Sequence, residues 1–231
     1  IYYYKASSVS GSTEGALSSS VNASTSYSLG RAINPDGTND YVQVNNLSGV
    51  AVDSDFIGVA TWIKLGPGFP YSNGTIEGII SSRSAGTTNK YVFMSIFSLS
   101  TTFTITFSIY NDTGTRVRQS ITTLNNADFT AGDVLHIVNI LRADSIAVGT
   151  FEAITWVNNV RYEEVSADAV TWMTSFADEN MIAKNANVSG REFKGQIGDL
   201  VLFGGLDLSD ADVSELYGGG ASSAGNPSSV I

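Results

Sequence analysis

At 231 residues, 42% of them hydrophobic and only 15% charged, the chain is long enough to bury one large core and is less charged than the roughly 25% of an average globular domain. Lys and Arg number 12 against 22 Asp and Glu, a net charge of −10, and such a field disfavours phosphate backbones and anionic lipid headgroups as partners. There is no cysteine, which removes disulfide frameworks, thiolate metal sites and cysteine nucleophiles, and no apolar run approaches the ~20 residues that span a bilayer as a helix.

In chain order, residues 1–32 read as a Ser/Gly/Thr-rich lead-in that contributes one strand. No secretory leader is legible, and a start at Ile1 rather than Met leaves room for a preceding segment. The turn Asn34-Pro35-Asp36-Gly37 leads into a short strand at Tyr41–Val44. Residues 56–65 (FIGVATWIKL) are apolar on both faces, as a strand covered on both sides should be. Gly66-Pro67-Gly68 ends that strand, and strands follow at Gly78–Ser82 and Tyr91–Phe97. The segment 102–110 (TFTITFSIY) alternates strictly, with Phe103, Ile105, Phe107 and Ile109 on one face and Thr102, Thr104, Thr106 and Ser108 on the other. A turn at Asn111–Gly114 returns the chain as a more polar strand over Thr115–Ile121, and further strands are predicted at Val134–Leu141 and Ala153–Val157. Asn158-Asn159 marks a two-residue hairpin, because Asn tolerates the left-handed backbone that a type I′ turn requires. Helix is expected only around Ala167–Phe176 and over 210–217, where Ser209 and Asp212 form a capping-box pair and Gly218 is the stop signal. The tail 218–231 is Gly/Ser-rich and reads as disordered by composition unless it lies on a neighbouring subunit or its own domain. Many short strands with turn signals between them point to an all-β sandwich or barrel.

Several of these segments, in order, resemble one family. Residues 33–44 (INPDGTNDYVQV), the strand FIGVATWIKL with Trp62, VLHIVNI at 134–140, ITWVNNVRYEEV at 154–165 and FKGQIGDLVLFGGLDLSDADVSELY at 193–217 are similar to the signature strands and closing helix of laminin-G-like, concanavalin A-like domains. Leu135, Asn159 and Leu202–Gly205 depart from that pattern, in places that bear on loops more than on fold. The resemblance implies an antiparallel two-sheet jelly roll over 33–217, with any ligand on a rim or on the concave face. It also implies calcium or carbohydrate as optional ligands.

Candidate chemistry is sparse. His136 is the single histidine and sits mid-strand between Leu135 and Ile137, where a structural role is the simpler reading. Glu163 and Glu164 would point to opposite faces of a strand, Asp178 and Glu179 fall in a polar loop, and no Glu-x-Asp-x-x-Glu pattern is present, so a glycoside hydrolase has little support. Acidic and amide clusters that could ligate calcium are Asp36 with Asn39 and Asp40, Asp53 with Asp55, Asn111 with Asp112, and Asp207 with Asp210; none has EF-hand spacing. We take Asp36, Asp40, Asn111 and Asp112 as the candidate metal residues, beside the plainer reading that they hold turns. For a sugar, the candidates are Phe69, Tyr71, Tyr110 and Trp172, aromatic side chains in loops or at strand ends; Phe69-Pro70-Tyr71, in a Gly/Pro loop, is the foremost. Trp62 and Trp156 read as core. Asn-x-Ser/Thr triplets at Asn22, Asn46, Asn73, Asn111 and Asn187 carry little weight in a chain so rich in those residues.

The expectation is therefore a non-enzymatic surface module at an extracellular or virion surface. Its foremost role would be a structural, decoration or adhesion component of a larger assembly such as a phage virion, with other subunits and surface glycans as partners. The alternative is a free carbohydrate-binding lectin domain, with or without calcium.

Overall fold

The computed structural model describes residues 26–29, 33–38, 40–44, 56–84, 91–114, 116–143, 150–167, 179–185, 190–205 and 207–217. Two six-stranded antiparallel sheets form a sandwich. The first runs in the order β1 (Ser26–Leu29), β12 (Gly195–Gly204), β3 (Phe56–Leu65), β8 (Val134–Ala143), β9 (Thr150–Val157), β10 (Val160–Ala167). The second runs β2 (Val42–Val44), β11 (Glu179–Ile182), β4 (Ile76–Arg83), β5 (Val92–Ser98), β6 (Thr102–Tyr110), β7 (Arg116–Asn125). A helix, α1 (Asp210–Leu216), follows β12.

The alternation of the strands dictates the core. Ile57, Val59, Ile63 and Leu65 of β3 meet Phe103, Ile105, Phe107 and Ile109 of β6 in one buried cluster between the sheets. A fully buried side chain of this kind contributes about 1.5–3 kcal/mol through area removed from water. A polar seam also joins the sheets: Asn139 Oδ1 on β8 accepts hydrogen bonds from Ser120 Oγ on β7 and Thr155 Oγ1 on β9, both at 2.8 Å. Satisfying those hydroxyls inside an apolar core removes a desolvation cost that would otherwise oppose their burial.

β3 is buried along nearly its whole length because its outer face is covered too. There Ala60, Val138, Ile140, Ile154, Trp156 and Phe203 form a second cluster with Leu208 and Val213, so α1 caps the first sheet from outside. Trp156 Nε1 donates to Asp210 Oδ1 at 2.9 Å, tying sheet to helix start. The predicted cap is present: Ser209 N donates to Asp212 Oδ2 at 2.8 Å and Asp212 N donates back to Ser209 Oγ at 3.3 Å. The Asn158-Asn159 hairpin forms with positive φ at both residues, 49° and 65°, as a type I′ turn demands. The predicted helix around 167–176 lies outside the described residues except for Ala167, which ends β10, and the tail 218–231 lies wholly outside them.

Candidate functional site

With α1 spent on the first sheet, the outer face of the second is left without a helix among the described residues. Pairing in register across β4–β7 builds that face row by row. Phe93 on β5 lies opposite Ser81 and Ser108, and Ser108 opposite Gln119. The next row aligns Gly78, Ser95, Thr106 and Ile121, and the next Ile76, Phe97, Thr104 and Thr123. A cleft of about 340 Å³ opens across these rows, lined by Phe93, Phe97, Thr106, Ser108 and Gln119 together with Tyr91, Tyr110, Asn185 and Arg191. That volume falls at the lower end of small-ligand sites, about 300–1,000 Å³.

The aromatic wall is pre-organised. Tyr91 stacks on Phe93 with ring centres 5.5 Å apart and 18° between planes, and meets Tyr110 at 5.4 Å. Its hydroxyl donates to Asn185 Oδ1 at 3.0 Å. Burial pushes the Tyr91 phenol well above its ordinary value, so it remains a neutral donor at physiological pH. Asn185 and Arg191 reach the cleft because the chain flanking 186–189 runs hard against β4. Gly78 N and Asn185 N both donate to the Arg191 carbonyl, at 3.1 and 3.2 Å, and Glu192 bridges to both Gly78 and Lys184. Only glycine fits at 78, since a Cβ there would lie 2.6 Å from Asn185 N and 2.7 Å from the Lys184 carbonyl carbon.

Of the four aromatic residues expected to hold a sugar, Tyr110 lies in this cleft and Trp172 falls outside the described residues. Phe69 and Tyr71 require correction. They are 7% and 9% exposed and belong to the inter-sheet core. Their Gly/Pro loop folds back over the end of the sandwich, so that Phe69 packs edge-on against Phe103 at 5.1 Å. The Tyr71 hydroxyl donates to the Lys194 carbonyl at 2.7 Å and accepts from Gly66 N at 3.1 Å. An apolar ring with its polar tip satisfied by backbone has no reason to remain in water. Trp62 and Trp156 are buried, as the strand pattern predicts.

Three of the candidate metal residues, Asp36, Asp40 and Asn111, hold turns. Asp36 Oδ1 accepts from Thr38 N at 2.7 Å, Asp40 Oδ2 accepts from Asp36 N at 3.2 Å, and Asn111 Oδ1 accepts from Thr113 N and Oγ1 at 3.1 and 2.8 Å. Asn111 is itself buried and Asp112 half-buried. Among the described residues no three His, Cys, Asp or Glu side chains converge as a metal site. His136 is 2% exposed and packs against Trp62 and Tyr217, with ring centres 4.6 and 5.7 Å away.

No family model, laminin-G-like or other, matches the chain, and no curated protein matches it. Solved structures do. The botulinum neurotoxin serotype D binding domain aligns at a TM-score of 0.52 and 13% identity, over 81% of this chain and 41% of that one. The serotype C1 binding domain gives 0.51 and 11%, over 72% and 37%, and the serotype G binding domain 0.50 and 13%, over 84% and 46%. In fold, the chain is similar to these toxin binding domains. It spans less than half the length of each, and at such identities the likeness is one of β-sandwich architecture.

Proposed function

We propose that the protein is a non-enzymatic binding module that takes up a carbohydrate on the outer face of its second sheet. The observation that carries this reading is the cleft formed by Tyr91, Phe93, Phe97 and Tyr110 with Thr106, Ser108, Gln119 and Asn185 around it. Aromatic faces match the apolar C–H face of a sugar ring, and hydroxyl and amide groups match its rim of hydroxyls. Most of these side chains stand on the paired strands β5–β7, and ring contacts hold Tyr91 against Phe93 and Tyr110, so little entropy is lost on binding. Among the described residues that line the cleft there is no Asp or Glu, and a glycosidase's carboxylate pair or a calcium site would need them. The fold likeness to toxin binding domains supports a binding role. The setting we propose is an extracellular or virion surface, with the module decorating a larger assembly.

The test is a glycan array on the intact chain, run with calcium and with chelator, beside Phe93→Ala. Phe93 faces outward in the middle of the cleft, so truncation should leave folding intact and lower affinity at least tenfold, as loss of a central aromatic anchor does. Binding that disappears with chelator, or that survives Phe93→Ala unchanged, would move the site elsewhere. A defined oligomer by light scattering that binds no glycan would favour a purely structural component.

A further inference from the structure

We propose that the saccharide held in this cleft is acidic, with a ring carboxylate seated against the Arg191 guanidinium; this rests on the carbohydrate reading above. Among the described residues lining the cleft, Arg191 alone is charged. In a chain whose acidic residues outnumber its basic ones 22 to 12, a binding surface with a single, positive charge departs from the average of the molecule.

The arginine is also uncommitted. Its position is set by its backbone carbonyl, which accepts from Gly78 N and Asn185 N. Nearby cations are occupied: Arg83 pairs with Glu179 at 2.6 Å, while Lys184 pairs with Glu192 at 3.4 Å and lies over the Tyr41 ring at 4.2 Å. Among the described residues Arg191 enters no ion pair. A guanidinium in a cleft lined by Tyr91, Phe93, Phe97 and Tyr110, with no carboxylate among the described lining residues, is a receptor for a planar anion. Its paired N–H donors match the two oxygens of a carboxylate better than they match a lone hydroxyl. The net charge of −10 opposes any anion at long range. At physiological ionic strength that field is screened beyond roughly 8 Å, so the local arginine decides the outcome.

The experiment is isothermal titration of the intact chain with matched ligands: glucuronate, galacturonate and mannuronate oligosaccharides, the same chains with carboxyls reduced to neutral hexoses, and sulfated neutral oligosaccharides. Wild type is expected to favour one carboxylated ligand over its reduced form by about tenfold, the scale of one charge-assisted contact, with the preference shrinking as salt is raised. Arg191→Gln should bring the acidic and reduced ligands to equal affinity, and Arg191→Lys should retain part of the preference. Equal wild-type affinity for acidic and reduced forms would overturn the acidic assignment and leave the carbohydrate reading standing. A preference for the sulfated ligands would overturn the carboxylate assignment. Failure to bind any saccharide, here and on the array, would defeat the carbohydrate reading itself. The ligand comparison uses unaltered protein, so it decides even if a variant folds poorly.

Discussion

Glu77 gives the sharpest energetic prediction. It sits near the start of β4, 6% exposed, where its Oε2 accepts a hydrogen bond from Lys194 N at 2.9 Å. Burial pushes its pKa up from 4.5 to about 7, although the Lys194 N–H, the Tyr71 hydroxyl and the Lys194 charge all favour the ionised form. Between those two values the native state holds a proton that the unfolded chain has released. Stability contributed by this group is therefore complete below pH 4.5 and is lost as pH rises through about 7. At about 1.4 kcal/mol per tenfold in proton affinity, the gap between 4.5 and about 7 corresponds to roughly 3 kcal/mol. Glu77→Gln keeps an oxygen acceptor for Lys194 N and cannot ionise. Urea denaturation of both proteins from pH 4 to pH 8 should show near-equal stability at the acid end and an advantage of roughly 3 kcal/mol for the variant at the alkaline end. His136 acts with the opposite sign but equally in both proteins, so it cancels in the difference. A difference that stays constant with pH would refute the reasoning.

Two further predictions concern single residues. His136 is the chain's one imidazole, and burial lowers its pKa from 6.5 to about 4. Its contribution to stability is thus present above 6.5 and lost as pH falls toward 4; an imidazole NMR midpoint above pH 6 would contradict this. Gly78→Ala would place a Cβ 2.6 Å from Asn185 N, forcing the backbone that carries Asn185 and Arg191 to move. We expect a loss of about 1–3 kcal/mol in chemical denaturation and weaker saccharide binding; an unchanged midpoint with unchanged affinity would show that the segment yields freely.

The strands were readable because their residues carry the period directly: TFTITFSIY is β6, and FIGVATWIKL is β3 to the residue. The hairpin and the cap were readable because Asn158-Asn159 and Ser209/Asp212 encode local geometry within four residues. The site was not readable in the same way. Apart from Tyr110, its aromatic wall comes from Tyr91, Phe93 and Phe97, and β5 is apolar on both faces, Val92, Met94 and Ile96 turning inward. Periodicity along one strand cannot say which of two apolar faces meets the core. Asn185 and Arg191 lie far from β5 in sequence and arrive through the close approach at Gly78, which no local pattern announces. Phe69 and Tyr71 read as exposed because they stand in a Gly/Pro loop, yet a short loop closing the end of a sandwich lies over core rather than over solvent.

A weaker signal did exist. β6 presents Thr104, Thr106 and Ser108 outward, a polar stripe beside an inner face of Phe and Ile. Antiparallel pairing must set some neighbour's outer residues against that stripe, and β5 is its sequence neighbour across a short turn, so Phe93, Ser95 and Phe97 fall beside Ser108, Thr106 and Thr104. The closing helix follows β12 directly and lies against the sheet its own strand belongs to, which is the first. Among the described residues, that helix shields one outer face. An aromatic row on the other, next to hydroxyls rather than more hydrocarbon, is what a chain would carry there if that face were meant to be covered by something polar and ring-shaped. Phe93 and Phe97, half-buried on that outer face, therefore weigh more toward function than the buried Phe69 and Tyr71, even though the latter looked more exposed in the sequence.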